Sequence, residues 1–201
     1  MRRREFMALL CGVAILPRGA AAQTNNMPRI GILALGNPDP APFLKHFREA
    51  LRELGYVEAR NVVFEFRSAN GSPALLTTLA RELVALKVDV IVAFQTPAVT
   101  AAKEATAEIP IVMGSAGDPV GTGLIASFAR PGGNITGVAG MNAELAAKNV
   151  ELIREILPNA RRIAVLANAP DPFHRPFLAQ IENARPGHGH RDQATVDEKR
   201  R

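Results

Sequence analysis

From residue 29 onward the apolar positions alternate between two rhythms. Arg29-Ile-Gly-Ile-Leu-Ala-Leu35 is a nearly continuous apolar run closed by Gly36-Asn37-Pro38, the pattern of a strand covered on both faces. Phe43, Phe47, Leu51 and Leu54 then recur on one helical face within Pro42–Leu54, and Gly55 is placed to end that helix. Strands are predicted again over Val62–Phe66, Val88–Ala93, Ile111–Met113, Ile135–Ala139 and Arg162–Ala167. Helices are predicted around Leu75–Leu86, Thr96–Thr106, Ala143–Leu157 and Phe173–Ala184, with a short one running from Gly123 to Ala129. Pro97 suits the first turn of the helix that Thr96 opens.

Strands separated by helices of this length pair in parallel through right-handed crossovers. The expected fold class is therefore α/β, a doubly wound parallel sheet. Ligands of such sheets sit at the carboxyl ends of strands, where the strand order reverses. Three loops meet that description: Gly36-Asn37-Pro38, Gln95-Thr96-Pro97 and Gly117-Asp118-Pro119-Val120.

The N-terminus has a different organisation. Arg2, Arg3 and Arg4 precede ten apolar residues, Met7–Leu16, and Ala20-Ala21-Ala22 follows the break at Pro17. This order of charge, apolar core and small residues predicts an export signal over residues 1–22. The core is too short to span a bilayer, so no stable membrane insertion is expected after cleavage. Arg3-Arg4-Glu5-Phe6-Met7 also resembles a twin-arginine signal. Cys11, the only cysteine, falls inside the signal, which leaves no thiol chemistry or disulfide for the remainder.

Charge narrows the partners. The formal net charge is +5 over 201 residues, yet the two ends supply all of it, through Arg2, Arg3, Arg4 and Arg18 at one end and the Arg- and Lys-rich stretch from Arg185 at the other. The central part is neutral, with no tryptophan and a single tyrosine, Tyr56. A basic stripe interleaved with aromatics is what nucleic-acid binding needs, and no nucleic-acid partner is expected.

Residue chemistry favours binding over catalysis. Thr96 stands at a helix start, where free N–H groups and the positive dipole end suit a carboxylate; a plain N-cap role is the alternative. Asp118 can pair with a ligand ammonium or simply start a turn before Pro119. Gly121-Thr-Gly-Leu-Ile-Ala126 matches a dinucleotide pattern but begins well after its strand has ended, where a pyrophosphate turn cannot form. His46 and His174 lack metal-spaced partners, and Gly114-Ser-Ala-Gly117 lacks the spacing of a nucleophile elbow. No catalytic residue, metal site or cofactor is assigned. None of the few aromatic residues falls in a candidate loop.

Several blocks together resemble a large bacterial family of ABC-transporter substrate-binding proteins, whose best understood members bind aromatic amino acids. They are Leu51-Arg-Glu-Leu-Gly-Tyr-Val-Glu-Ala-Arg-Asn-Val62, Leu86–Ala93, Thr96-Pro97-Ala98, Ile109-Pro-Ile-Val112, Gly117-Asp-Pro-Val-Gly121 and Arg130-Pro-Gly-Gly-Asn-Ile-Thr-Gly137. The resemblance implies a two-lobed periplasmic-binding-protein-like fold that closes on a small solute and delivers it to an ABC membrane permease. By the same resemblance the contacts fall at Gly36, Asn37, Thr96, Pro97, Ala98, Asp118 and Pro119 in the first lobe. In the second lobe Asn168 stands where the family has Asn-Pro-x-Asn-Pro; this chain reads Asn168-Ala-Pro-Asp-Pro172.

The expected organisation is an export signal (1–22), a first α/β lobe (28–136), an incomplete second α/β lobe (137–184) and a disordered tail (185–201). In that tail eight of seventeen residues are charged and no amphipathic face can be drawn, which suggests a frameshift near Ala184. The expected function is capture of a small organic solute, an amino acid among the candidates, in the periplasm. A nonfunctional truncated fragment of such a protein and a Rossmann-type nucleotide-binding enzyme are the alternatives.

Overall fold

A computed structural model describes residues 27–36, 41–140 and 142–184. The export signal, Asn37 and the charged tail lie outside the described residues. Five parallel strands form one sheet in the order β2-β1-β3-β4-β5: β1 (Arg29–Ala34), β2 (Val63–Ser68), β3 (Val90–Phe94), β4 (Ile111–Ser115) and β5 (Ile135–Gly137). The helices are α1 (Ala41–Glu53), α2 (Leu76–Ala85), α3 (Thr96–Ala105), α4 (Asn142–Ile156) and α5 (His174–Asn183). The doubly wound parallel sheet expected from the apolar rhythm is the one observed.

The pleat of β2 shows why helices cover both faces. Successive side chains of a strand point to opposite sides. Phe64 meets Phe47 of α1 edge to face, with ring centroids 5.6 Å apart. Arg67, of the other parity, reaches Glu82 of α2, Nε to Oε2 2.8 Å. In β1, Gly31 and Leu33 look the same way as Arg67. Gly31 has no side chain because Leu83 and Val88 fill that space, within 3.2 Å of where a Cβ would stand. Leu33, Leu83, Ile91, Val99, Ile111 and Met113 build the main core on this face. Full burial of such a side chain stabilises by about 2 kcal/mol. Ile32 and Val92, paired in register across β1 and β3, are buried on the opposite face.

Two of the sequence blocks are turns held by backbone and asparagine side-chain hydrogen bonds. Gly55 (φ 89°) closes α1 as predicted, with Tyr56 N–H donating to Leu51 O and Gly55 N–H to Arg52 O, the paired bonds of a Schellman motif. Asn61 clamps the following loop, accepting from Val57 N–H and donating to Gly55 O. Asn134 donates to Thr106 O and Ile109 O, fastening the Arg130–Gly137 block to the α3–β4 loop. Gly137 (φ 136°) lies against the β4 backbone, where a Cβ would fall 2.3 Å from Met113 O.

Two predicted elements are absent. Residues 124–129 form no helix. Gly123 takes a positive φ of 72°, and both Leu124 and Ile125 donate to Pro119 O, which draws the chain into a turn with those two side chains buried. Residues 162–167 form no strand and are exposed, Leu166 to 99%. An isolated strand has no ladder to satisfy its backbone, and no neighbour is available to this one among the described residues. Leu145, Leu152 and Ile156 of α4 are likewise exposed. No helix among the described residues is long and apolar enough to cross a membrane.

Candidate functional site

The strand order reverses between β1 and β3: the chain leaves β1 toward β2 on one side, and β3 continues toward β4 and β5 on the other. A crevice opens at such a point, beyond the carboxyl ends of the two strands. Gly36 and Gln95 stand at those ends and are joined across the crevice, Gly36 N–H donating to Gln95 Oε1 at 3.3 Å.

Gln95 is held in an unusual conformation, φ 72° and ψ 148°. That region is close to one that glycine almost alone adopts, and its occupation by another residue stores of the order of 1–3 kcal/mol. The conformation turns the chain from β3 into α3 within one residue. Gln95 O accepts from Ala98 N–H (3.1 Å) and Val99 N–H (3.2 Å), and Gln95 N–H donates to Ser115 O at the end of β4 (2.8 Å). Gln95, not Thr96, is thus the residue before the helix. With Pro97 lacking an N–H and those of Ala98 and Val99 engaged, this helix end offers fewer donors than an open first turn.

Thr96 is 3% exposed, and its hydroxyl points across to the β4 loop, where Oγ1 accepts from Gly117 N–H at 3.0 Å. A hydroxyl that accepts in this way still has a proton to donate. Pro97 and Ala98 are buried beside it.

Asp118 is half-buried at φ 31°. Its Oδ1 accepts from Gly121 N–H at 2.9 Å, and its carbonyl accepts from Thr122 N–H and Oγ1. A Cβ at Gly121 would stand 2.1 Å from Asp118 Oδ2, so any larger residue there would oblige the carboxylate to shift. The turn-starting role weighed from the sequence is therefore realised in the geometry. Pro119 is buried, its carbonyl holding Leu124 and Ile125. Asn168 is exposed, and its carbonyl accepts from Asp171 N–H in a turn.

Two aromatic rings reach this region, although neither residue belongs to a candidate loop. A register shift between Ala93 and Phe94 pairs Phe94 with Ser115 and leaves Gly114 bulged. The Phe94 ring lies over Gly114, 2.1 Å from where a Cβ would be. Phe173, just before α5, lays its ring on Gly117, with Cδ2 2.4 Å from the equivalent point. Neither is signalled in the sequence, because one depends on a bulge and the other on a contact between segments 56 residues apart. Gln95 belongs to a candidate loop, but its conformation has no signature for a related reason: that conformation calls for glycine, and the residue present is not one. Among the described residues no cluster of three His, Cys, Asp or Glu side chains could hold a metal ion.

The chain as a whole has counterparts among known proteins. The family model for ABC transporter substrate binding proteins matches residues 40–175. The chain belongs to that family. A curated tyrosine-binding protein of Clostridioides difficile is 35% identical over 127 residues, which are 63% of this chain and 36% of that protein. Among solved structures, a conserved domain protein from Vibrio cholerae matches with TM-score 0.70 and 30% identity, covering 79% of this chain and 53% of that one. An ABC domain from Streptococcus pneumonia in complex with L-Trp matches with TM-score 0.67 and 31% identity, covering 78% and 54%. The chain thus spans about half the length of these solved structures and about a third of the curated protein.

Proposed function

We propose that this substrate-binding family chain serves a bacterial ABC import system by capturing a small organic solute, an amino acid among the first candidates, in the crevice between the ends of β1 and β3. The observation that carries this reading is the linkage of three strand-end loops into one wall. Gly36 bonds Gln95, Gln95 N–H bonds Ser115, and Thr96 bonds Gly117. A wall whose backbone is fixed before binding loses little entropy when a solute arrives.

Residues 28–136 make up the first lobe in this reading and 137–184 contribute to a second. The resemblance to the family assigns Gly36, Asn37, Thr96, Pro97, Ala98, Asp118 and Pro119 to the near wall of the solute site, with Pro97, Ala98 and Pro119 buried behind it, and Asn168 to the far wall. A solute ammonium meets Asp118 and a carboxylate meets the start of α3. Residues 1–22 direct export, the periplasm is the site of action, and a membrane permease receives the solute. The chain performs no reaction. The tyrosine-binding relative and the L-Trp-bound structure support an amino acid as the cargo.

A thermal-shift screen tests this. Stabilisation grows with ligand concentration over dissociation constant, so weak binding is visible at excess ligand. Stabilisation by L-tyrosine, L-tryptophan or another amino acid supports the reading. Stabilisation by a nucleotide alone would support a Rossmann-type enzyme, and silence across the panel would support a chain that no longer binds.

A further inference from the structure

The contact between Phe173 and Gly117 joins a residue of the late segment to the loop that carries Asp118. The ring rests directly on the glycine, three of its carbons lying within 2.8 Å of the point a Cβ would take. It is well anchored there. Phe173 N–H donates to Asp171 Oδ1 (2.9 Å), and His174 N–H donates to Asp171 O (3.0 Å), which fixes the turn from which the side chain departs. Phe177 backs it, with ring centroids 5.6 Å apart and planes inclined by 47°. The residue beneath the ring is the one whose N–H is held by the Thr96 hydroxyl and whose carbonyl carbon begins the peptide bond to Asp118.

We propose that Phe173 is a stopper seated on the β4 loop, which a solute must displace to reach Gly117 and its two neighbours. This rests on the solute-binding reading above. The seated ring and a solute compete for one apolar surface. A competing resident group lowers apparent affinity by the fraction of time that it vacates the site. The stopper therefore weakens binding of every solute that enters there by one common factor.

Two readouts on the full chain test the proposal, using Phe173→Ala and the conservative Phe173→Leu. The first is amide hydrogen exchange over residues 116–121, with no ligand present. Exchange in Phe173→Ala is expected to be about tenfold faster than in the parent, with Phe173→Leu between them. The second is calorimetric affinity for L-tyrosine, L-leucine and L-serine. Phe173→Ala is expected to bind each more tightly by a similar factor of at least about threefold. Unchanged exchange, or weaker binding in Phe173→Ala, overturns the stopper; weaker binding would make the ring part of the pocket wall. Faster exchange with no amino acid bound by any variant keeps the stopper and removes amino acids as its cargo.

Discussion

Thr96 Oγ1 accepts a hydrogen bond from Gly117 N–H, and this bond of 3.0 Å ties the start of α3 to the loop after β4. Both residues are buried, so the Gly117 N–H has no water to turn to if the acceptor is lost. A buried donor left without a partner costs about 1–3 kcal/mol.

Thr96→Val removes that acceptor while keeping the shape of the side chain. It is expected to lower stability by about 1–3 kcal/mol, and Thr96→Ser is expected to recover most of the loss because the hydroxyl remains. Urea unfolding followed by circular dichroism measures both. Equal midpoints for the valine and serine variants would mean that the bond contributes nothing.

The Phe94 ring and Gly114 are a matched pair. A methyl group at residue 114 would lie 2.1 Å from the ring, so Gly114→Ala is expected to destabilise by about 1–3 kcal/mol through overpacking. In Phe94→Ala the obstruction is gone. The double variant is therefore expected to be more stable than the sum of the two single losses, with a coupling of about 1 kcal/mol or more. Additivity within error, measured in a double-mutant cycle, would place the ring elsewhere.

Gln95 reverses the usual order of alanine and glycine. At an ordinary site glycine is the less stable of the two by about 0.5–1 kcal/mol. At φ 72° and ψ 148° alanine retains the strain and glycine releases it. Both lose the side-chain bond to Gly36 N–H. Gln95→Gly is therefore expected to melt at or above the temperature of Gln95→Ala, by differential scanning calorimetry. A lower melting temperature for the glycine variant would show that residue 95 relaxes out of this conformation.

These sites differ in how far the sequence announces them. Apolar rhythm located all five strands of the sheet, because a parallel strand buried on both faces must be apolar throughout, as Ile30–Leu35 is. The loops at Gly36, Thr96 and Gly117 followed from the alternation of strand and helix. The same rhythm misled at Leu124, Ile125 and Phe128, whose spacing imitates a helical turn although the Pro119 carbonyl holds the backbone otherwise. It misled again over residues 162–167, where an apolar run expresses an aptitude for pairing and a strand needs a partner. Phe94, Gln95 and Phe173 owe their places to a bulge, a strained dihedral and a long-range contact. None of the three has a local signature.

Asp118 separates a structural role from a binding one. Its Oδ1 already serves the turn by accepting from Gly121 N–H, and asparagine offers an equivalent oxygen while tolerating a positive φ. Asp118→Asn is therefore expected to fold with a stability loss of no more than about 1 kcal/mol, the difference between a charged and a neutral acceptor. What it removes is the negative charge. A solute whose ammonium pairs with that charge is expected to lose about 1.5–3 kcal/mol, or about 10- to 150-fold in affinity. An analogue with the amine replaced by hydrogen is expected to bind the two proteins alike. Isothermal titration with L-tyrosine and with its deaminated analogue, 3-(4-hydroxyphenyl)propionate, makes the comparison. Asp118→Ala completes it, because that variant loses the turn bond together with the charge and should lose stability and amine affinity at once. If L-tyrosine binds Asp118→Asn as tightly as the parent, the carboxylate serves only its own loop and the solute's positive end is recognised elsewhere.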